Sequence, residues 1–258
     1  MGILAAILGG CAGYSVRDED LERIERGEFA AGEVVFICHG MLKDLGIPWD
    51  FRVRDEISAE SPARLAIVAT YFSGPLGVWF NVGCRPPGRV IASLADAMEE
   101  LHRSTGCSAP LRLRALGFSQ GCEAILEAGF RMGKARIERA VFLNPSSFGF
   151  SREPRELVDR GKIGQILFGW SPFDGVTIFA PLGAGTMGIR PAGEGLENLC
   201  LWNTHLPPLF SSGRKRAREL LLKEGGSGAA PAAHTCGGDA GYRRRLAELL
   251  RSGRASGN

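Results

Sequence analysis

A three-layer α/β/α sandwich built on a mostly parallel sheet is the fold class this sequence predicts, on three observations. Short β-branched and aromatic runs recur along the chain, stretches of helical periodicity lie between them, and Gly/Pro-rich loops punctuate the two. Strands separated by helices are joined by crossovers, which pair them in parallel and cover both faces of the sheet. The length of 258 residues suits one such domain. Hydrophobic residues at 45% supply one sizeable core, and charged residues at 23% exclude a disordered chain.

The elements follow in order. The run EVVFIC at 33–38 ends at His39-Gly40 and reads as a buried strand. Residues 50–60 are polar and read as a helix, and 64–72 (RLAIVATYF) as a second strand. Residues 74–88 form a Gly/Pro-rich loop. In 89–103, Val90, Ile91, Leu94, Met98 and Leu101 recur at near-helical spacing opposite Glu99 and Glu100, the mark of an amphipathic helix. A strand is expected at 111–118, a helix at 120–131 and a strand at 138–143. Residues 148–174 then read as an insertion with one helical piece near 153–160. Further strands are expected at 176–180 and 199–202, and a basic helix at 214–223. Beyond 224 a flexible GGSGAAPAA linker leads to a short basic amphipathic helix at 242–252.

The domain organisation expected is therefore a signal-like segment and tether at 1–26, a folded domain at 27–224, and a linker with its short helix at 225–258. Residues 1–8 are apolar, and Leu8-Gly9-Gly10-Cys11 has the form of a bacterial lipobox. This predicts an exported protein, lipid-modified at Cys11 and anchored to a membrane, with 15–26 as the tether. The run is short and no Lys or Arg precedes it, which keeps a cytoplasmic alternative open.

Several function classes are disfavoured. A net charge of +3 from dispersed basic residues does not mark a nucleic-acid binder. No stretch has the roughly 20 apolar residues of a membrane-spanning helix. No Cys pair has C-x-x-C spacing, so no metal site is expected. The Gly-rich stretch 183–195 is followed by no helical pattern, so no dinucleotide and no other cofactor is expected. Cys38, Cys122 and Cys200 lie in apolar runs and read as buried free thiols.

The motif that carries chemistry is Gly117-Phe118-Ser119-Gln120-Gly121, a G-x-S-x-G sequence between an expected strand and an expected helix. A serine at such a junction sits on a sharp turn with its oxygen raised above the sheet, and the flanking glycines remove side chains that would collide there. The following helix points the positive end of its dipole at a developing oxyanion.

With this motif, the order of elements and Phe36-Ile37-Cys38-His39-Gly40, the chain resembles the α/β-hydrolase superfamily over roughly 33–223. The resemblance implies a nucleophilic Ser119 and an oxyanion hole formed by the backbone N–H groups of Gln120 and Met41. It makes His39 structural. It places the base after the last strand, where Asn203-Thr204-His205 stands, with His234 as runner-up; His102 reads as a surface residue. The expected acid position after 176–180 holds none. We favour Glu194, later in that loop, over Asp174, which lies ahead of the expected strand. Asn144 as an orienting group, or a Ser-His dyad, stays open.

An ester hydrolase of esterase or lipase type, acting on a small ester or lipid-like substrate through an acyl-enzyme, is the function implied. The alternatives are a degenerate hydrolase fold used for binding, and an acyltransferase or thioesterase using the same serine. An apolar lid at 148–173, rich in Phe and Trp, would suit an acyl substrate; packing at the domain edge is the competing reading.

Overall fold

The computed structural model describes residues 13–15, 17–25, 32–40, 49–60, 64–70, 85–106, 111–143, 145, 154–170 and 196–200. Seven strands among them form one sheet: β1 (Gly13–Ser15), β2 (Glu33–Cys38), β3 (Arg64–Thr70), β4 (Arg112–Phe118), β5 (Ile137–Leu143), β6 (Ile163–Trp170) and β7 (Leu196–Cys200). Five helices accompany them: α1 (Asp18–Glu25), α2 (Trp49–Glu60), α3 (Arg85–Ser104), α4 (Gly121–Arg131) and α5 (Pro154–Asp159). The strand order is β1-β3-β2-β4-β5-β6-β7. Only β1 runs antiparallel to its neighbour; every other pair is parallel. The expected α/β sandwich with a mostly parallel sheet is borne out.

Strands buried on both faces are near-continuously apolar, and β2 shows why. Val34, Phe36 and Cys38 enter one core with α3, α4 and α5, while Val35 and Ile37 enter a second core with Val53 and Ile57 of α2. The period of two divides one hydrophobic run between two layers.

Three expectations are corrected. The reading of 148–173 as an inserted lid fails over its second half. Ile163, Ile166, Leu167 and Phe168 are buried in β6, which pairs with β5 on one side and β7 on the other. The Phe168 ring meets Phe142 edge-on, with centroids 5.5 Å apart. Phe168 belongs to a core strand, and a short apolar run carries no signal that separates it from a lid. Only the helical piece, α5, lies where expected; the strand expected at 176–180 lies outside the described residues.

The tether at 15–26 is the second correction. Gly13 pairs with Thr70 and Ser15 with Val68, so the chain enters the sheet two residues after position 11, and α1 follows. Asp20 of α1 is fully buried and accepts two hydrogen bonds from Arg17, at 2.8 and 3.1 Å. Cys11 itself, like the segment beyond 200, lies outside the described residues. No helix among the described residues is long and apolar enough to cross a membrane.

The third concerns α3. His102 is buried, not a surface residue, and Leu101 is 41% exposed. The inward stripe is Ile91, Ala95, Met98 and His102, rotated from the one that large apolar residues suggest. The small Ala92 and Ala95 belong to the buried side, so the core is shared with α4 at close range.

The amino edge of the sheet holds an ion network in which Glu33 and Arg114 are buried. Glu33 lies 3.4 Å from Arg64 and 3.0 Å from Arg114, and Arg114 lies 3.6 Å from Glu138. Burial pushes the Arg114 guanidinium below its usual range, and the two carboxylates oppose that shift. Nearby, Asp96 of α3 accepts the backbone N–H groups of Gly133, Lys134 and Ala135 at 2.7–2.8 Å, pinning the turn between α4 and β5.

Candidate active site

Ser119 stands where β4 gives way to α4. Its φ is +52°, the one positive value at a non-glycine residue among those described. For an L-residue this left-handed conformation costs about 1–2 kcal/mol, because Cβ crowds the following carbonyl. The surroundings hold it there. The Ser119 N–H donates to the Leu143 carbonyl of β5 at 2.8 Å, while Cys122 N–H donates to Ser119 O at 3.2 Å and Glu123 N–H to Gln120 O at 3.0 Å. The chain thus turns from strand to helix within three residues, the sharp bend that raises a side chain above the sheet.

The flanking glycines are required by contact. A Cβ on Gly117 would lie 2.8 Å from Cys122 Cα, and one on Gly121 only 2.3 Å from the Cys38 carbonyl oxygen. Both obstacles are backbone, which cannot rotate aside. The first turn of α4 is therefore pressed against β4 on one side and the end of β2 on the other.

The rest of the edge is fixed by register. Cys38 is level with Gly117 and Phe118 with Leu143, which sets Gly40 beside Ser119 on one line. Leu143 is level with Gly169, and Trp170 with Cys200, which extends that line to β6 and β7. His205 follows the end of β7 by five residues, and Asp174 follows the end of β6 by four. Glu194 precedes β7 by two. His205, Asp174, Glu194, Asn144, His234 and Met41 all lie outside the described residues.

Among the expected site residues, Ser119, Gln120 and His39 are described. Gln120 has helical backbone angles, φ −61° and ψ −24°, at the head of α4. His39 is fully buried, and its Nδ1 donates to the Gly40 carbonyl at 2.8 Å, in keeping with a structural role. Ser119 is only 2% exposed. Cys38 and Cys122 are buried free thiols, as expected, and burial pushes the Cys38 thiol well above its ordinary range. Two features have no sequence signature. The Leu143 carbonyl serves both the Ser119 N–H and, weakly at 3.9 Å, the Cys122 thiol. Gly40 lies directly against the serine, its hypothetical Cβ 2.9 Å from Ser119 Cβ.

No protein-family model and no curated protein sequence matches this chain. Its neighbours among solved structures are esterases and related hydrolases. Est1E from Butyrivibrio proteoclasticus is 12% identical with a TM-score of 0.45, covering 83% of this chain and 93% of its own. A hydrolase from Thermoplasma acidophilum, described as CIB-like, is 11% identical at 0.40, covering 84% and 94%. A propionate-bound esterase from Thermogutta terrifontis is 15% identical at 0.39, covering 75% and 81%. Scores below 0.5 leave the fold to be read from the strand order and the serine turn themselves.

Proposed function

We propose that this chain is a serine hydrolase of α/β-hydrolase type that cleaves carboxylic esters through an acyl-enzyme on Ser119. The single observation that carries the reading is the left-handed Ser119, held between β4 and α4 by contacts that admit only glycine at 117 and 121. Strain of this kind at the carboxyl edge of a parallel sheet has no packing benefit of its own and points to function.

In this reading His205 takes the Ser119 proton, and the backbone N–H groups of Gln120 and Met41 receive the oxyanion. The reading takes Asp174 as the acid, with Glu194 as the alternative: β6 at 163–170 ends level with the serine, and Asp174 follows that end in sequence, whereas Glu194 precedes β7. β6 lies two strands from β4, about 10 Å away, and β7 three strands, about 14 Å. Loops of four and five residues reach roughly 13 and 16 Å, which suffices to bring Asp174 and His205 back toward Ser119.

The burial of Ser119 favours a second reading, a hydrolase fold retained for binding. A fluorophosphonate reagent separates the two. Labelling of the wild type, lost in Ser119→Ala, supports the hydrolase; an unlabelled wild type that turns over no short p-nitrophenyl ester refutes it. Within an active protein, Asp174→Asn should lower kcat by about 10²-fold or more and Glu194→Gln by less than about twofold. The reverse order would restore Glu194 as the acid.

A further inference from the structure

We infer that the carboxyl edge of the sheet, where Ser119 stands, is the face this protein turns to a lipid bilayer. Two observations carry it. The first is where the chain enters the sheet. Strand β1 is antiparallel, and its first residue, Gly13, pairs with Thr70 at the carboxyl end of β3. Ala69, Cys38 and Gly117 are level across β3, β2 and β4, so Gly13 is level with Phe118, one residue short of Ser119. The sequence ahead of it, MGILAAILGGC, is apolar. Two residues span at most about 7 Å, so Cys11 stays within about 7 Å of Gly13 whatever its path. The headgroup layer of one leaflet is about 5–7 Å thick. An apolar segment buried in the hydrocarbon therefore brings the start of β1 to headgroup level. Beyond the strand, Arg17 is bonded to the fully buried Asp20 at 2.8 and 3.1 Å, which ties this entry to the domain.

The second observation is independent of that segment. The chain has four tryptophans, and all stand at the carboxyl edge or in connections that leave it. Trp49 opens α2, the helix that follows the carboxyl end of β2, and Trp170 closes β6. In sequence, Trp79 lies between the end of β3 and the start of α3, and Trp202 two residues beyond β7. Tryptophan is enriched at membrane interfaces, where its ring meets the acyl boundary and its N–H the headgroups. The amino edge, about 20 Å away along β4, carries the charges of Glu33, Arg64, Arg114 and Glu138 instead. An apolar anchor and amphipathic rings at one edge, with charge at the other, match the polarity profile of a bilayer surface. With the acyl-enzyme reading above, on which this step alone rests, Ser119 then meets esters whose carbonyl groups lie between headgroup and acyl chain.

The test uses the full chain and vesicles of phosphatidylcholine brominated near the headgroup end of the acyl chain. The protein should sediment with them, and the bromine should quench its tryptophan emission. Lys134 is exposed at the amino edge, and Lys134→Trp should add emission that the vesicles leave unquenched. Ile3→Asp, Leu4→Asp and Ile7→Asp together should weaken binding by about 100-fold or more, since burying each such side chain is worth about tenfold or more. Sedimentation without quenching, or equal quenching of the added tryptophan, would overturn the inference. So would a wild type that does not bind, or a triple variant that binds as well as the wild type. If the triple variant does not fold, the quenching comparison decides alone. Turnover separates this surface from the acyl-enzyme reading. The triple variant should keep wild-type turnover of a soluble p-nitrophenyl ester and lose that of an ester dissolved in the vesicles. A wild type that binds and is quenched, but hydrolyses neither ester, supports the surface and refutes the acyl-enzyme reading.

Discussion

Gly121→Ala tests whether the serine turn is held by contact. The added Cβ would stand 2.3 Å from the Cys38 carbonyl oxygen, 2.6 Å from its carbon and 2.7 Å from the His39 oxygen. All three are backbone atoms, two of them at the buried end of β2, so no rotamer relieves the clash. Ordinary contact needs about 3.3 Å, so the head of α4 must withdraw from β2 by about 1 Å, an overpacking that typically costs 1–3 kcal/mol. For a domain of this size 1 kcal/mol moves Tm by about 2–4 °C, which predicts a fall of about 2–12 °C. The same movement carries Ser119, and a 1 Å misplacement of a reacting group slows chemistry by about 10²-fold. Calorimetry and the rate of fluorophosphonate labelling measure the two effects. Gly161→Ala is the control: Gly161 has φ +65° but nothing within 4 Å of the added Cβ, so it should lose only about 1 kcal/mol to backbone strain and keep its labelling rate. A Gly121→Ala protein with unchanged melting and labelling would refute the steric account of the turn.

Two further outcomes follow from the same structure. Replacing Ser119 by Gly and by Ala should abolish labelling in both cases, but the Gly variant should melt about 2–4 °C above the Ala variant, because only Gly relieves the left-handed strain of about 1 kcal/mol; equal melting temperatures would show that φ +52° is not strained. For Asp96, burial alone would raise the carboxyl, but the backbone N–H groups of Ala135, Gly133 and Lys134 outweigh it and hold it below its usual range. A depressed folded-state value means that its stabilisation is fully present above the unfolded value of about 3.9 and is lost as pH falls through the folded one. Asp96→Asn should therefore cost about 2 kcal/mol at pH 7, judged from charge-assisted hydrogen bonds, and the gap from wild type should narrow below about pH 4; a constant gap across that range refutes the assignment.

The central strands and the serine turn are legible in the sequence because each rests on a local signal. EVVFIC is buried on both faces, and Gly117 and Gly121 are spaced as the bend requires. The helix expected at 120–131 runs from Gly121 to Arg131, with Gln120 at its head. What the sequence concealed is tertiary. β6 looks like a lid because GQILFGW is apolar without alternation, and only its pairing with β5 and β7 shows that it is a strand. That one misplacement bears on the acid, since the expectation of Glu194 rested on a strand at 176–180, and the role of an acidic residue here depends on which strand end it follows. β1 is three residues long, too short to carry a periodicity, so it passed for a tether. The buried face of α3 is marked by alanines and a histidine, whose burial no hydrophobic count reveals.

The two edges of the sheet divide stability from chemistry. At the amino edge the charges satisfy one another: Glu33 is shared by Arg64 and Arg114, and Asp96 is saturated by three amides. Such groups are costly to bury and costly to break, so they fix how β2, β3, β4 and β5 sit together and leave little reactivity to exploit. At the carboxyl edge the balance is reversed. There the fold holds a left-handed serine, aims a peptide carbonyl with a buried imidazole, and presses two glycine-bearing segments together. The left-handed serine raises the free energy of the folded state by about 1–2 kcal/mol. These arrangements persist because the strands beneath, fixed from the other end, leave residues 38–40 and 117–121 no alternative path. A parallel sheet braced at one edge can carry strain at the other, and Ser119 lies where that strain is concentrated.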